Sequence, residues 1–222
     1  MNRRSVGRAR LVPQPSFRYC GRMKVVLLWF VLAVLPIRAA ETNTFTTQTL
    51  GFSITKPAHW RFIAQDQGAE NLGRPGSSDP KVQKGSESPP PMVVLTKYPE
   101  PYDQVNPSVK VNVRPLGNFD GANPSALLEM ILPTLQKSLR NLKVLEKPAP
   151  VRFAGLNAAH LKVTYTLAPK AGRSFPAISE LWVVPRGKVF FFIGTAHSAN
   201  ATRADREELQ QILRSVKIDP AA

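Results

Sequence analysis

The chain has 222 residues, of which 43% are hydrophobic, and this is enough to build the core of a globular domain. Its formal net charge is +15, but residues 1–40 hold eight basic residues and no acidic one, so that the remaining 22 basic and 15 acidic residues leave +7 on the rest. That moderate charge gives no reason to infer a nucleic-acid partner. The only cysteine, Cys20, also lies in this first part, which excludes a disulfide framework and a cysteine metal site from the remainder.

An apolar run of 13 residues spans positions 25–37, with Lys24 before it and Arg38, Ala39 and Ala40 after it. At about 1.5 Å per residue, a helix of this length is too short for a hydrocarbon core of about 30 Å. A basic start, a short apolar centre and a small-residue end are typical of a secretory signal peptide. The sequence therefore predicts a signal peptide over residues 1–39 and a periplasmic or extracellular domain after it.

Three alternatives to this interpretation stay open. Cleavage after Ala40 instead of Ala39 would place Arg38 at the −3 position, where a small residue is usual. A translation start at Met23 would give a signal peptide of ordinary length, with residues 1–22 upstream of it. An uncleaved segment would anchor the protein in the membrane.

Residues 40–222 are predicted to form one domain, which opens with strands over residues 45–50 and 52–55 on either side of Gly51. Residues 65–91 are rich in glycine, proline and polar residues, and we expect a long flexible loop there. Strands resume at residues 92–96 and 109–113. In the second of these, valines alternate with Lys110, Asn112 and Arg114, which predicts a buried valine face and an outward polar face.

A helix is predicted from Asn123, as N-cap, through Leu142, because leucine and isoleucine recur at helical spacing. Extended structure follows, and then strands over residues 158–167, 177–184 and 188–196, the last two joined by a hairpin at residues 185–187. Three successive phenylalanines at 190–192 predict a strand covered on both faces. A closing helix is predicted after Thr202, with Asp205 completing a capping box.

The sequence resembles the PsbP-like superfamily of secreted or lumenal proteins in three places. They are the segment with Gly51, Phe52, Ile54, Pro57 and Trp60, the aromatic strand through Phe192, and the closing helix with its apolar tail. This resemblance implies an α+β fold, namely an α/β/α sandwich with a mainly antiparallel central sheet and a C-terminal helix packed on it. It also implies a non-catalytic accessory, assembly or binding role. From its place after the Pro57 turn, Trp60 is predicted to be a core residue, and Trp182, in a strand, is predicted to share that core.

The sequence offers little support for catalysis or for a cofactor. His59, His160 and His197 are far apart and lack a metal-ligand spacing. There is neither a glycine-rich phosphate loop nor a nucleophile elbow. We therefore expect no metal, no cofactor, no nucleic-acid partner and no enzymatic activity, with an envelope enzyme of unrecognised type as the alternative.

A contact surface is predicted where the long loop meets a cluster of aromatic and proline residues. Tyr98 and Tyr102 stand beside Pro99 and Pro101, and the loop before them carries Lys81 and Lys84. Long loops in compact domains are often functional. These four residues are therefore the predicted contacts of an exported binding or assembly module with an envelope protein or a small ligand.

Overall fold

The computed structural model describes residues 42–63, 90–117, 121, 123–168 and 173–221. The chain divides into two units at Ala40, and every described residue belongs to the second, Glu41–Ala222. The predicted signal peptide and residues 65–89 of the predicted loop, with Lys81 and Lys84, lie outside the described residues. No helix among the described residues is long and apolar enough to cross a membrane.

The elements follow one another in the order strand, strand, strand, strand, strand, helix, four strands, helix and strand. They are β1 Thr44–Thr47, β2 Phe52–Thr55, β3 Arg61–Phe62, β4 Val93–Thr96, β5 Ser108–Pro115, α1 Pro124–Ser138, β6 Arg140–Phe153, β7 Leu156–Leu167, β8 Phe175–Arg186, β9 Val189–Ser198, α2 Arg203–Ser215 and β10 Lys217–Ile218.

Seven of these strands form the central sheet in the order β3-β4-β5-β9-β8-β7-β6, and each described neighbour pair is antiparallel. A smaller sheet in the order β1-β2-β10 and helix α2 share a core with one face of the central sheet. Helix α1 packs on the other face. The predicted α+β sandwich with a mainly antiparallel sheet and a packed C-terminal helix is therefore confirmed.

The face beneath α2 is densely apolar. Alternate residues of the central strands point to it, among them Val109, Val111, Phe191 and Ile193, all of which are buried. They pack with Leu209, Ile212 and Leu213 of α2 and with Phe52 and Ile54 of β2. Trp60 and Trp182 belong to the same cluster, as the sequence predicts.

The face beneath α1 buries the other set of alternate residues. Leu127 and Leu128 of α1 pack with Leu161 and Val183, and Phe192 is partly buried against them. Because Phe191 is buried on the α2 face and its neighbours lie on the α1 face, β9 is covered on both sides. The two-sided strand predicted from residues 190–192 is confirmed.

Two helix starts agree with prediction and one helix end does not. The side chain of Asn123 caps α1, with Pro124 in its first turn, and Thr202 and Asp205 form a complete capping box at α2. Helix α1, however, ends at Ser138, and β6 begins at Arg140. The apolar repeat continues through Leu142, but Leu139 already has extended dihedral angles and the following residues pair with β7.

Two strand details also differ from prediction. Pro185 and Arg186 belong to β8, so the β8–β9 turn is tighter than expected and Gly187 takes a positive φ of 57° in it. Strand β10 was not predicted. It pairs with β2 over only two residues and closes the small sheet.

Candidate functional site

An open cavity of about 740 Å³ lies on the α1 face of the central sheet, beside the C-terminal end of that helix. Helix α1 covers only part of this face, and Leu139, directly after the helix, lines the cavity. The floor comes from four neighbouring strands, since every second residue of each points to the same side. Its residues are Ser108, Lys110, Asn112, Tyr165, Leu167, Ser179, Leu181, Phe192, Gly194 and Ala196.

Small residues aligned across three strands account for the depth of the floor. Ser108 of β5 and Ser179 of β8 are both register partners of Ala196 of β9. In the next row, Lys110 and Leu181 both face Gly194. A Cβ atom on Gly194 would lie 3.1 Å from Cδ2 of Leu181, a tight approach. The centre of this sheet face therefore carries little side-chain volume, and the space above it is left open.

Lys110 is the cation of this floor. It lies between Ser108 and Asn112 on the same face of β5 and is half-buried. Burial lowers its pKa, because it disfavours the charged ammonium, and the nearby positive charge of Arg114 lowers it further. In the part of the chain that the structure describes, no carboxylate is within ion-pairing distance of Lys110. Its ammonium is therefore available to an anion in the cavity.

A tyrosine and a serine on β7 and β8 supply hydroxyl groups to the same floor. The Ser179 hydroxyl donates to the Tyr165 hydroxyl oxygen at 3.3 Å. Burial raises the pKa of Tyr165, against the smaller opposite effect of this hydrogen bond, so the phenol stays neutral at physiological pH. Because its oxygen accepts from Ser179, the phenol keeps its own hydrogen to donate.

The rim of the cavity is formed partly by residues 98–106, here termed the rim loop. Nδ2 of Asn106 donates to the Tyr98 carbonyl oxygen at 2.9 Å and to Oε1 of Glu100 at 2.8 Å. The backbone N–H of Tyr102 donates to Oε2 of Glu100 at 3.1 Å. The rings of Tyr98 and Tyr102 stack with their centres 4.6 Å apart. These contacts fix the loop that borders the cavity.

The structure brings together two of the four predicted contact residues. Tyr98 and Tyr102 form one stacked pair, both half-buried, and Tyr102 lines the cavity. Burial raises the pKa of Tyr102, with a smaller contribution from Tyr98. Lys81 and Lys84 lie outside the described residues, so the contact surface made by all four stays a prediction.

Lys110, Tyr165 and Ser179 were not predicted as site residues. The alternation in β5 assigned Lys110, Asn112 and Arg114 to an outward face, whereas Lys110 and Asn112 line the cavity floor. The reason is that this face of the sheet is partly covered by α1 and bounds the cavity beside that helix. The phenylalanines at residues 190–192, which predict a strand covered on both sides, were the one feature of the sequence to indicate that the second face of the central sheet is covered.

A separate ionic cluster joins α2 to the central sheet. Nζ of Lys97 lies 2.7 Å from Oδ1 of Asp205 and 3.0 Å from Oε2 of Glu208. The indole N–H of Trp60 donates to the same Glu208 oxygen at 2.8 Å, and Nε2 of His59 lies 3.1 Å from it. With this many internal partners, the cluster serves to hold α2 in place.

The two other histidines also have local partners. Nε2 of His160 lies 3.1 Å from Oε2 of Glu180, and its ring packs against Trp182. Nδ1 of His197 donates to the Ser198 carbonyl oxygen at 2.8 Å. Within the described ranges, no group of three or more His, Cys, Asp or Glu side chains is arranged to hold a metal ion.

Comparison with known proteins gives similarity at the level of folds. No protein-family model matches the sequence, and no curated protein matches it. A crystal structure from Bacteroides thetaiotaomicron is 12% identical with a TM-score of 0.41, and the match covers 80% of this chain and 48% of that one. The chain thus spans about half the length of that protein.

Two other solved structures are similar over more of their own length. The solution structure of cyanobacterial PsbP (CyanoP) from Synechocystis sp. PCC 6803 is 10% identical with a TM-score of 0.47, covering 85% of this chain and 99% of that one. LpqN, described as involved in cell envelope biogenesis of Mycobacterium tuberculosis, is 14% identical with a TM-score of 0.46, covering 76% and 83%. The structural neighbours of this chain thus include a PsbP protein.

Proposed function

We propose that this chain is an exported, non-catalytic binding module of the cell envelope, which holds a small amphipathic molecule in the cavity on the α1 face. The observation that carries the proposal is the cavity itself. Its volume of about 740 Å³ falls in the range of small-molecule sites, roughly 300–1,000 Å³. Such sites combine apolar walls with a few convergent polar groups.

The lining has both components. Apolar side chains from different elements line the cavity: the walls include Val105, Leu139 and Phe175, and the floor includes Leu167, Leu181 and Phe192. Polar groups are concentrated on the floor, where Lys110, Tyr165 and Ser179 lie on adjacent or nearby strands. A ligand with one polar end and an apolar body matches this division.

The alternative function, an envelope enzyme, is favoured by one feature, the lowered pKa of Lys110 in a cavity that also holds the neutral phenol of Tyr165. Acid–base catalysis usually adds a histidine or an enclosed carboxylate. Among the described lining residues there is no histidine or cysteine, and the carboxylates, Glu100 and Asp103, are exposed at the rim. Binding without chemistry is therefore the better match to the lining.

Blocking the cavity tests the binding function. Ala196→Phe adds a ring above the floor, and we expect it to weaken binding of the amphipathic probe anilinonaphthalene sulfonate by at least about tenfold, equivalent to about 1.4 kcal/mol. Amide chemical shifts of Gly194 and Ser179 in the wild-type protein should report the binding. Ala149→Phe, on the exposed side of β6, is the matched control and should bind normally. Equal binding by both variants, each melting cooperatively, would refute the proposed site.

Export has its own test, independent of the cavity. N-terminal sequencing of the protein recovered from its native envelope should give a product that begins close to residue 40, because a cleaved signal peptide leaves the mature domain. A product that retains residues 25–37 would instead support the membrane-anchored alternative.

A further inference from the structure

We infer that the molecule held in the cavity is a monocarboxylate with an apolar body, its carboxylate paired with Lys110 and its body lying along the apolar walls. This inference rests on the proposed binding function and names the class of ligand. It follows from the distribution of charge, of hydrogen-bond donors and of apolar surface around the floor.

Charge is the first step. Lys110 is half-buried, whereas the two carboxylates of the lining, Glu100 and Asp103, are exposed. Both oxygens of Glu100 already accept hydrogen bonds within the rim loop, from Asn106 and from the Tyr102 backbone. Counted over the described residues, the enclosed part of the lining therefore carries one net positive charge, and an anion is the ligand that offsets the cost of burying it.

Neutral donors lie on the same floor as Lys110, on β5 itself and on the more distant strands β7 and β8. Tyr165 keeps its phenolic hydrogen, since its oxygen accepts from Ser179. Ser108 and Asn112 flank Lys110 on the same face of β5 and add a hydroxyl and an amide. A carboxylate has two oxygens that accept several hydrogen bonds, so Ser108 and Asn112 match a carboxylate paired with Lys110, and Tyr165 supplies a further donor across the floor.

The number of cations distinguishes a carboxylate from a phosphate. Among the described residues, the floor has one cation, Lys110; Arg114 lies nearby but does not line the cavity, and Arg173 of the lining is exposed at the edge. A phosphate monoester carries up to about two negative charges at neutral pH and is usually bound by arginines or by a helix N-terminus. One lysine with neutral donors fits a charge of −1, and the apolar walls fit a hydrocarbon or ring.

The experiment compares octanoate, octanol and octyl phosphate as probes of the full mature chain, by calorimetry and by amide shifts at Gly194. Octanoate should bind more tightly than octanol. Lys110→Met should weaken octanoate binding by about 10- to 100-fold, the value of a charge-assisted hydrogen bond, and leave octanol binding unchanged. Lys188→Met removes the same charge from the exposed β8–β9 turn and should change neither. Lys110→Gln provides a second variant should the methionine perturb folding.

Each other result overturns the inference. Equal binding of octanoate and octanol, insensitive to Lys110→Met, would mean a purely apolar site and would leave the proposed binding function intact. Octyl phosphate bound at least tenfold more tightly than octanoate would assign a phosphate ester instead. Failure of octanoate to bind, while anilinonaphthalene sulfonate still shifts the Gly194 amide, would reject the carboxylate and keep the cavity as a site.

Discussion

Lys110 occupies a position where a cation lowers the stability of the folded state. Burial, followed by repulsion from Arg114, holds its folded pKa below the unfolded value. The unfolded chain therefore binds more protons between these two values, and the penalty is fully present below the folded pKa and disappears as the pH rises past the unfolded one. Groups that cost stability are common at binding sites. Binding of the proposed anion at Lys110 is therefore expected to stabilise the domain.

Trp60 has the opposite role, since its contacts stabilise the fold. It is fully buried, its indole N–H donates to Glu208, and its carbonyl oxygen accepts from Lys56 at 2.6 Å. We expect Trp60→Ala to lower the free energy of unfolding by about 3–5 kcal/mol, the usual cost of removing a buried tryptophan. Trp60→Phe keeps much of the apolar volume, so a loss of only about 1–2 kcal/mol is expected.

Urea unfolding of both variants measures these values. Because the indole and Glu208 interact, Trp60→Phe should cost less in a Glu208→Gln background than in the wild-type protein. A Trp60→Ala protein as stable as the wild type would contradict a core role for this residue.

At the scale of elements, prediction succeeded where a local pattern and its tertiary environment agree. The caps of α1 and α2 could be predicted because Asn123, Thr202 and Asp205 act within one turn of sequence. The end of α1 could not, because a helical repeat of leucines competes there with pairing to β7. Strand β6 is the outer strand of the central sheet and is largely exposed, with register irregularities that are typical of edges. Its apolar residues therefore give only a weak strand pattern.

The cavity could not be predicted for a different reason. Ser108, Ser179 and Ala196 come from β5, β8 and β9, and they form one row only because of the register between these strands. Each of these small or polar residues is common in proteins, and they are far apart in the sequence, so no local pattern marks them as one group. Period-2 alternation indicates which residues share a face, but it does not show which neighbours a residue has across the sheet or whether a helix covers them. Tyr102 was predicted as a contact residue because of its proline neighbours. Its position on the cavity rim depends on the tertiary fold, which these neighbours do not indicate.

At the scale of the whole molecule, the two faces of the central sheet are used differently. The α2 face is closed by a helix and a second sheet, and its core holds both buried tryptophans. The α1 face is closed by one helix over part of its area, and the cavity occupies space beside it. The closed face provides stability, which allows the other to remain incompletely packed and to carry the buried charge of Lys110.

Attachment of α2 to the sheet makes the closed face sensitive to acid. Burial raises the pKa values of Asp205 and Glu208, but the opposing bonds outweigh it: those from Lys97 and Thr202 hold the pKa of Asp205 below its usual value, and those from Trp60 and Lys97 do the same for Glu208. Since both folded pKa values are lowered, their contribution to stability is complete above the unfolded values of about 4 and is lost as the pH falls through the folded ones.

We expect the unfolding free energy to fall by about 1–3 kcal/mol between pH values of about 5 and 2, measured by urea unfolding. Lys97→Met should reduce this dependence on pH, because it removes a cation that both carboxylates share, whereas Lys188→Met should leave it unchanged. A variant lacking Lys97 with the full wild-type pH dependence would show that the cluster does not couple α2 to the sheet.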